Sequence, residues 1–175
     1  MMKRWRSLGL ALVMAVTAAA ACGQPAAART AAEAGLVAFA GFQPGTIVIR
    51  TSERHLYLVL DAGRAIRYPI AVGKPGKAWS GDTTIARKVV HPTWGAPAAV
   101  LRDNPSLPSL IPPGPNNPLG PRALVLATDE YAIHGTNHPE TIGTQASYGC
   151  IRMYNRDIVD LYQRVSVGTP VVVER

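Results

Sequence analysis

The sequence predicts a mainly β domain with one short helix. Three features favour this class. The first part of the chain contains short apolar runs, rich in β-branched residues, that are separated by turn signals. A single amphipathic pattern with helical spacing follows near the C-terminus, over residues 155–165. Between them, residues 104–121 are rich in proline, glycine and asparagine, and we expect a loop without regular elements there.

Three strands are expected in the first half of the domain. Residues 45–49 and 56–60 are apolar runs typical of strands. Residues 61–64 have the composition of a turn, which leads into a third strand over residues 65–72. Because the connections are short, we expect these strands to pair as an antiparallel meander.

The next elements surround the long loop. A further turn and strand occupy residues 79–90, and a hairpin joins residues 123–127 to residues 131–134. His134 therefore lies at the end of a strand. A long loop inside a compact domain is usually functional. The loop at 104–121 either forms a wall or lid over a cleft or wraps an edge of the sheet.

One helix is expected after residue 154. Asn155 has the residue type of a helix cap, and Gly168 is expected to stop the helix. The chain then returns as a final strand over residues 170–173. The apolar residues of the helix recur at i, i+3, i+4 and i+7 and form one stripe that faces the core. They are Ile158, Leu161, Tyr162 and Val165.

The N-terminus predicts export. Residues 1–28 have a basic start, an apolar run and a tail of small residues, the pattern of a signal peptide. Two processing routes fit, cleavage after Ala28 or lipidation of Cys22, and we favour cleavage because Ala19 is a poor lipobox residue. Attachment to a membrane is expected only if Cys22 carries a lipid. Residues 29–43 are then a linker, either a tether or a short helix, and residues 44–175 form one domain.

The charge pattern excludes one class of partner. The chain has 18 Lys and Arg against 11 Asp and Glu, and the basic residues form neither a stripe nor a ladder with aromatic residues. This pattern argues against nucleic acid and is compatible with a substrate that bears carboxylates.

Cys150 is the main candidate for catalysis, because it is the one thiol left after the predicted leader is removed. An unpaired thiol in an oxidising compartment usually has a chemical function. His134 is its best partner, since a nearby histidine can hold the thiol as a thiolate/imidazolium pair and act as general acid and base. Gly135 lets a backbone carbonyl orient the histidine ring. Gly149 frees the backbone, so that its amide and those of Tyr148 and Cys150 can converge on an oxyanion.

A cysteine with an upstream histidine is weak evidence alone, but the motifs around the pair are specific. The chain closely resembles the signature of the L,D-transpeptidase catalytic domain, often called the YkuD domain. The resemblance covers residues 44–175. The matching segments are residues 117–120, 133–137, 142–143, 147–153 and 157–158.

This resemblance implies a β-sandwich-like mixed sheet, a periplasmic location and remodelling of peptidoglycan stem peptides without a cofactor. It implies that Cys150 attacks the carbonyl joining the third residue of a donor stem, meso-diaminopimelate, to the terminal D-alanine. An amine acceptor resolves the thioester to a 3,3 cross-link, and water would give a trimmed tripeptide, an L,D-carboxypeptidase activity. The acceptor stays open: another stem, a lipoprotein lysine or a free D-amino acid. The balance of transfer and hydrolysis also stays open.

Two departures from the family pattern matter. Many members carry a second histidine directly before the Gly-Cys pair, where this chain has Tyr148. We therefore expect the role of general base to fall on His134 alone. The Thr-Pro-x-Gly turn that often precedes the fourth strand is replaced by residues 79–83.

Three residues are candidates for substrate binding. Arg152 follows Cys150 with period two and would share its face in extended backbone. It either clamps a substrate carboxylate or braces the active-site segment. Ser147 is assigned to the same group; its hydroxyl either positions the loop or the histidine by a hydrogen bond, or Ser147 is a plain turn residue. Thr136, in the histidine motif, is also assigned to this group.

Two other classes of function remain open. His134, His138 and Cys150 have a spacing that invites a zinc peptidase, although Gly135 and Pro139 argue against the helix that such a site uses. We expect no metal. The second class is a non-catalytic peptidoglycan-binding module with an inert thiol.

Overall fold

The computed structural model describes residues 34–128 and 131–175. The predicted leader, Cys22 and residues 29–33 of the predicted linker lie outside the described residues. The helices are α1 (Ala98–Asp103) and α2 (Asn155–Arg164), with a 3-10 turn at Pro139–Thr141. The strands are β1 (Gly35–Ala38), β2 (Ile47–Arg50), β3 (His55–Asp61), β4 (Arg64–Gly73), β5 (Gly81–Val90), β6 (Trp94–Gly95), β7 (Leu110–Ile111), β8 (Arg122–Leu126), β9 (Ala132–His134), β10 (Gln145–Ser147), β11 (Ile151–Met153) and β12 (Pro170–Glu174).

Two sheets share the long strands β4 and β5. The first sheet runs β1-β4-β3-β2-β12-β5, and the second runs β4-β11-β9-β8-β5. The expected meander β2-β3-β4 is antiparallel, whereas β12 with β2 and β11 with β9 are parallel pairs. The prediction of a mainly β, sandwich-like mixed sheet is confirmed.

The core follows from the alternation of side chains along each strand. In β2, Ile47 and Ile49 point into the core between the sheets, and Val48 points to the outer face of the first sheet. All three are fully buried. Because both faces of this strand are covered, it is apolar throughout.

The segment before β2 covers that outer face. Gly35–Ala38 pairs with the start of β4, and Phe39 stacks on Tyr57 with ring centroids 4.3 Å apart. The prediction of a tether or short helix is therefore wrong for residues 35–38. The local sequence does not predict this strand, because the strand forms only by pairing with β4, which lies further along the chain.

Helix α2 packs on the core through the predicted stripe. Ile158 and Leu161 are fully buried, Val165 is buried and Tyr162 packs beside them. The predicted cap is wrong: Asn155 is the first helical residue, and its side chain bonds elsewhere. At the other end of α2, Lys88 Nζ donates to the carbonyls of Tyr162 at 2.7 Å and Val165 at 2.6 Å.

The predicted loop is more ordered than expected. Leu110–Ile111 pairs with Trp94–Gly95, so residues 104–121 do contain one short strand. Asn117 holds the loop together, since its Nδ2 donates to the Pro92, Ile111 and Pro112 carbonyls. None of the helices in the described part of the chain is long and apolar enough to cross a membrane.

Replacing Lys88 tests how α2 is held. Lys88→Met keeps the apolar stem but removes the cation from the helix C-terminus, and we expect a loss of about 1–2 kcal/mol in the free energy of unfolding. Urea denaturation measures this change. Lys77→Met, at an exposed lysine, is the control and should differ from wild type by less than about 0.5 kcal/mol. Equal effects of both variants would contradict the assignment.

Candidate active site

The parallel pair β9–β11 brings the predicted residues together. Arg152 lies opposite His134 in the register, and Cys150 directly precedes β11. Side chains of paired residues point to the same face of a sheet, and so do residues two apart in one strand. His134, Cys150 and Arg152 accordingly line one cleft of about 460 Å³.

His134 is buried, with 4% of its surface exposed. Its Nδ1 lies 2.6 Å from the Gly135 carbonyl oxygen. Since a carbonyl only accepts, Nδ1 carries the proton and Nε2 carries the lone pair of the neutral ring. Burial lowers the pKa of His134 to about 4, although hydrogen bonds to the Gly135 and Pro118 carbonyls act in the opposite direction. The ring is neutral at pH 7.

Cys150 is a free thiol and is half-buried. Burial raises the pKa of the thiol, while a backbone hydrogen bond with Ala132 and the charge of Arg152 lower it by less. With the pKa of His134 lowered and that of Cys150 raised, the structure favours a neutral thiol and a neutral imidazole over the predicted thiolate/imidazolium pair. Burial disfavours both charges, so the resting pair is thiol and imidazole.

Ser147 braces the nucleophile segment. Its hydroxyl donates to the Cys150 carbonyl at 2.5 Å and accepts from the Gly149 N–H at 3.1 Å. The hydroxyl proton is therefore engaged within the loop. Ser147 also lines the cleft, and its assignment to substrate binding stays a prediction. The Gly149 N–H is bonded to the Ser147 hydroxyl, so it is not free to donate to an oxyanion. The amides of Tyr148 and Cys150 remain the predicted donors.

Gly149 has no room for a side chain. Its φ is +126°, and a Cβ would overlap the ring of Tyr131. Tyr131 stacks on Trp79 with centroids 4.9 Å apart, and Trp79 Nε1 donates to the Gly149 carbonyl at 3.0 Å. The sequence did not indicate this aromatic support. A glycine beside the candidate nucleophile indicates that another group packs closely against the backbone, but the sequence does not show which residue that is.

Tyr148 joins the cleft wall to the nucleophile segment. Its hydroxyl donates to Asp103 Oδ2 at 2.5 Å, at the end of α1. Lys74 Nζ lies 3.7 Å from the centre of the Tyr148 ring and 3.2 Å from Asp103 Oδ2. The side chain that replaces the family's second histidine thus serves a contact with α1.

Of the other two residues predicted to bind substrate, Arg152 lines the cleft and Thr136 does not. Arg152 is half-buried in the cleft, and burial lowers the pKa of its guanidinium, which stays charged. Thr136 is buried: its N–H donates to Asn155 Oδ1 and its hydroxyl accepts from the His138 N–H. Thr136 does not line the cleft with Cys150, so its assignment to substrate binding is wrong.

The residues of the zinc alternative do not converge. His134 Nδ1 is bonded to Gly135, and His138 Nδ1 lies 2.9 Å from Glu140 Oε1. Within residues 34–128 and 131–175, no group of three or more His, Cys, Asp or Glu side chains is arranged to hold a metal ion.

A second cleft, of about 540 Å³, also reaches Cys150. It crosses the outer face of the second sheet, where Val125 and Ala132 lie, and has Arg87 in its wall. Trp94, Pro97 and Leu119 line both clefts, as Cys150 does. The loop at 104–121 is therefore a cleft wall.

The low pKa of His134 predicts a pH-dependent stability. In the unfolded chain the ring takes up a proton near pH 6.5, but in the folded protein only near pH 4. The unfolded state therefore binds more protons between these values, and stability falls as pH falls. We expect wild type to lose about 3 kcal/mol more than His134→Gln between pH 7 and pH 4. Urea denaturation at both pH values measures the difference, and equal losses would contradict the buried neutral ring.

The chain is similar to known proteins. A family model described as the L,D-transpeptidase catalytic domain, YkuD, matches residues 44–173. A curated protein of Escherichia coli strain K12, Probable L,D-transpeptidase YbiS, is 39% identical over 134 residues, which is 71% of this chain and 43% of that protein. The chain thus spans less than half the length of that relative.

Two solved structures share the fold. L,D-transpeptidase 3 from Mycobacterium tuberculosis has a TM-score of 0.63 at 15% identity, over 74% of this chain and 60% of that chain, a likeness of fold alone. A structure from Brucella melitensis named Probable carnitine operon oxidoreductase caia is 43% identical over 81% of this chain and 93% of that chain, with a TM-score of 0.54. Since the family model spans most of the chain and includes both His134 and Cys150, the chain belongs to the L,D-transpeptidase family through its YkuD catalytic domain.

Proposed function

We propose that this protein is an L,D-transpeptidase that acts on peptidoglycan stem peptides through a thioester on Cys150. The observation that carries the proposal is that two clefts meet at this thiol. Hydrolysis needs space for one peptide and a water, whereas transfer needs space for a donor and an acceptor at the same sulfur atom. Acyl transfer is therefore the activity that this geometry supports best.

The first half of the reaction forms the thioester. Nε2 of His134 takes the thiol proton as Sγ of Cys150 attacks the carbonyl between meso-diaminopimelate and the terminal D-alanine. The amides of Tyr148 and Cys150 donate to the oxyanion. The intermediate collapses when the carbon–nitrogen bond breaks, and His134 gives its proton to the departing amine of D-alanine.

The second half transfers the acyl group. A neutral amine attacks the thioester, Nε2 of His134 takes a proton from it, and the carbon–sulfur bond breaks. The thiolate of Cys150 recovers its proton from the ring. An amine on another stem gives a 3,3 cross-link, and a lipoprotein lysine or a free D-amino acid are the other acceptors that fit this chemistry. Water in place of the amine would give L,D-carboxypeptidase activity.

Arg152 is the residue we assign to substrate carboxylates. It is half-buried on the same face of β11 as Cys150, so its charge is only partly screened by solvent. Stem peptides carry several carboxylates, and a guanidinium binds a carboxylate with two parallel hydrogen bonds.

We also propose that the protein is exported to the periplasm. The support is the signal-peptide pattern of residues 1–28. Peptidoglycan lies in that compartment, so the location agrees with the proposed substrate. Lipidation at Cys22 is the alternative route of processing.

Substitution of the two reacting residues tests the mechanism. With a disaccharide tetrapeptide as substrate, wild type should release D-alanine and form a cross-linked dimer that mass spectrometry detects. Cys150→Ala should form no product, and His134→Gln should lower the rate by roughly 1,000-fold because the general base is lost. Lys77→Met, at an exposed lysine away from both clefts, is the control with wild-type rate.

The products and adducts separate the alternatives. Tripeptide without dimer would assign the protein to hydrolysis. Loss of activity with EDTA would favour the zinc peptidase. A carbapenem should add its mass to Cys150 in wild type, and a folded protein with neither adduct nor product would overturn the proposal.

Export is tested by processing. Fractionation should recover the protein in the periplasm, and mass spectrometry should find a mature N-terminus after Ala28. Cys22→Ala should leave this result unchanged. A membrane-bound product that Cys22→Ala releases would show lipidation instead, and full-length protein in the cytoplasm would contradict export.

A further inference from the structure

The side chain of Asn155 turns from the start of α2 toward the segment that follows His134. Its Oδ1 accepts a hydrogen bond from the Thr136 N–H at 2.8 Å. The residue as a whole is exposed and lines a cavity of about 280 Å³ that includes neither Cys150 nor His134. Asn155 therefore contacts the active-site backbone from outside the cleft.

Two glycines make room for this side chain. A Cβ on Gly120 or on Gly135 would overlap Oδ1 of Asn155. A Cβ on Gly120 would also lie 2.9 Å from the α-carbon of Gly135. The loop that contains Gly120 and the segment after β9 thus cross in close contact, and the Asn155 amide fills the remaining space between them.

Both of these segments carry a carbonyl close to the ring of His134. The Gly135 carbonyl oxygen lies 2.6 Å from Nδ1, and the Pro118 carbonyl is near enough to act on the pKa of the ring. The Thr136 amide that Asn155 holds belongs to the same peptide unit as the Gly135 carbonyl. A peptide unit is planar, so the hydrogen bond on its N–H also restrains the direction of its C=O.

Helix α2 provides a rigid base for this contact. Ile158 and Leu161 are fully buried in the core, and Lys88 holds the far end of the helix. The position of Asn155 is therefore fixed relative to both sheets.

We propose that Asn155 is a positioning residue that holds the Gly135 carbonyl against Nδ1 of His134. The proton is then kept on Nδ1, and the Nε2 lone pair is left free for the thiol. The effect of Asn155 on the reaction rate rests on the proposed function. Its effect on the tautomer of His134 is a property of the resting protein and does not depend on the proposed function.

Nuclear magnetic resonance of labelled histidine tests the effect on the ring. At pH 7, wild-type His134 should show the Nδ1–H tautomer. Asn155→Ala should lose this preference and give a mixture of tautomers. Asn155→Asp keeps an acceptor at the same place and should keep the wild-type tautomer. Lys88→Met removes the hydrogen bonds at the opposite end of the same helix and should also keep the wild-type tautomer.

Kinetics of the same variants test the consequence. Asn155→Ala should lower kcat by about 10- to 100-fold with KM within about twofold, because a small misplacement of the base slows the chemical step. Asn155→Asp should restore most of the rate. The proposal is overturned if Asn155→Ala keeps the tautomer, or if Lys88→Met loses it equally. If wild type has no transpeptidase activity, the proposed function is wrong. The tautomer measurement tests the role of Asn155 independently of that result.

Discussion

The parallel pairing of β9 with β11 places the groups of this active site. It puts Arg152 opposite His134 and sets Cys150 directly before β11, so His134 shares one face with two residues that lie apart from it in the sequence. A register shift of one residue would turn these side chains to the other face. The pairing is stable because Ile133 and Ile151, which lie opposite each other, are fully buried in the core. The geometry of the site therefore depends on the packing of the sandwich.

Burial then decides the charge state of the site. Burial around His134 and Cys150 disfavours imidazolium and thiolate, which favours two neutral groups in the resting protein. In this state Nε2 is available as a base. In the proposed reaction, charge would develop inside the cleft, where the amides of the Cys150 segment and Arg152 would act more strongly than they would in water.

Several polar side chains around the site hold the backbone in place through hydrogen bonds. Ser147 bonds two backbone groups of the nucleophile segment, Asn117 joins distant parts of the loop, and Asn155 holds the Thr136 amide. Glycines stand where these side chains and the Tyr131 ring approach most closely. Such contacts resist small displacements of the reacting groups, which is what an acyl-transfer site requires.

The sequence alone determined the class of the fold, the meander and the apolar stripe of α2, and it singled out Cys150 and His134 as the candidate reacting residues. These features depend on local periodicity and on motifs that lie within short stretches of chain. Tertiary structure decided the rest: that residues 35–38 form a strand, that Ser147 and Thr136 bond within the protein, and that burial keeps the reacting pair neutral. Each of these depends on contacts between residues far apart in the chain, and the spacing of residues along a sequence does not record such contacts.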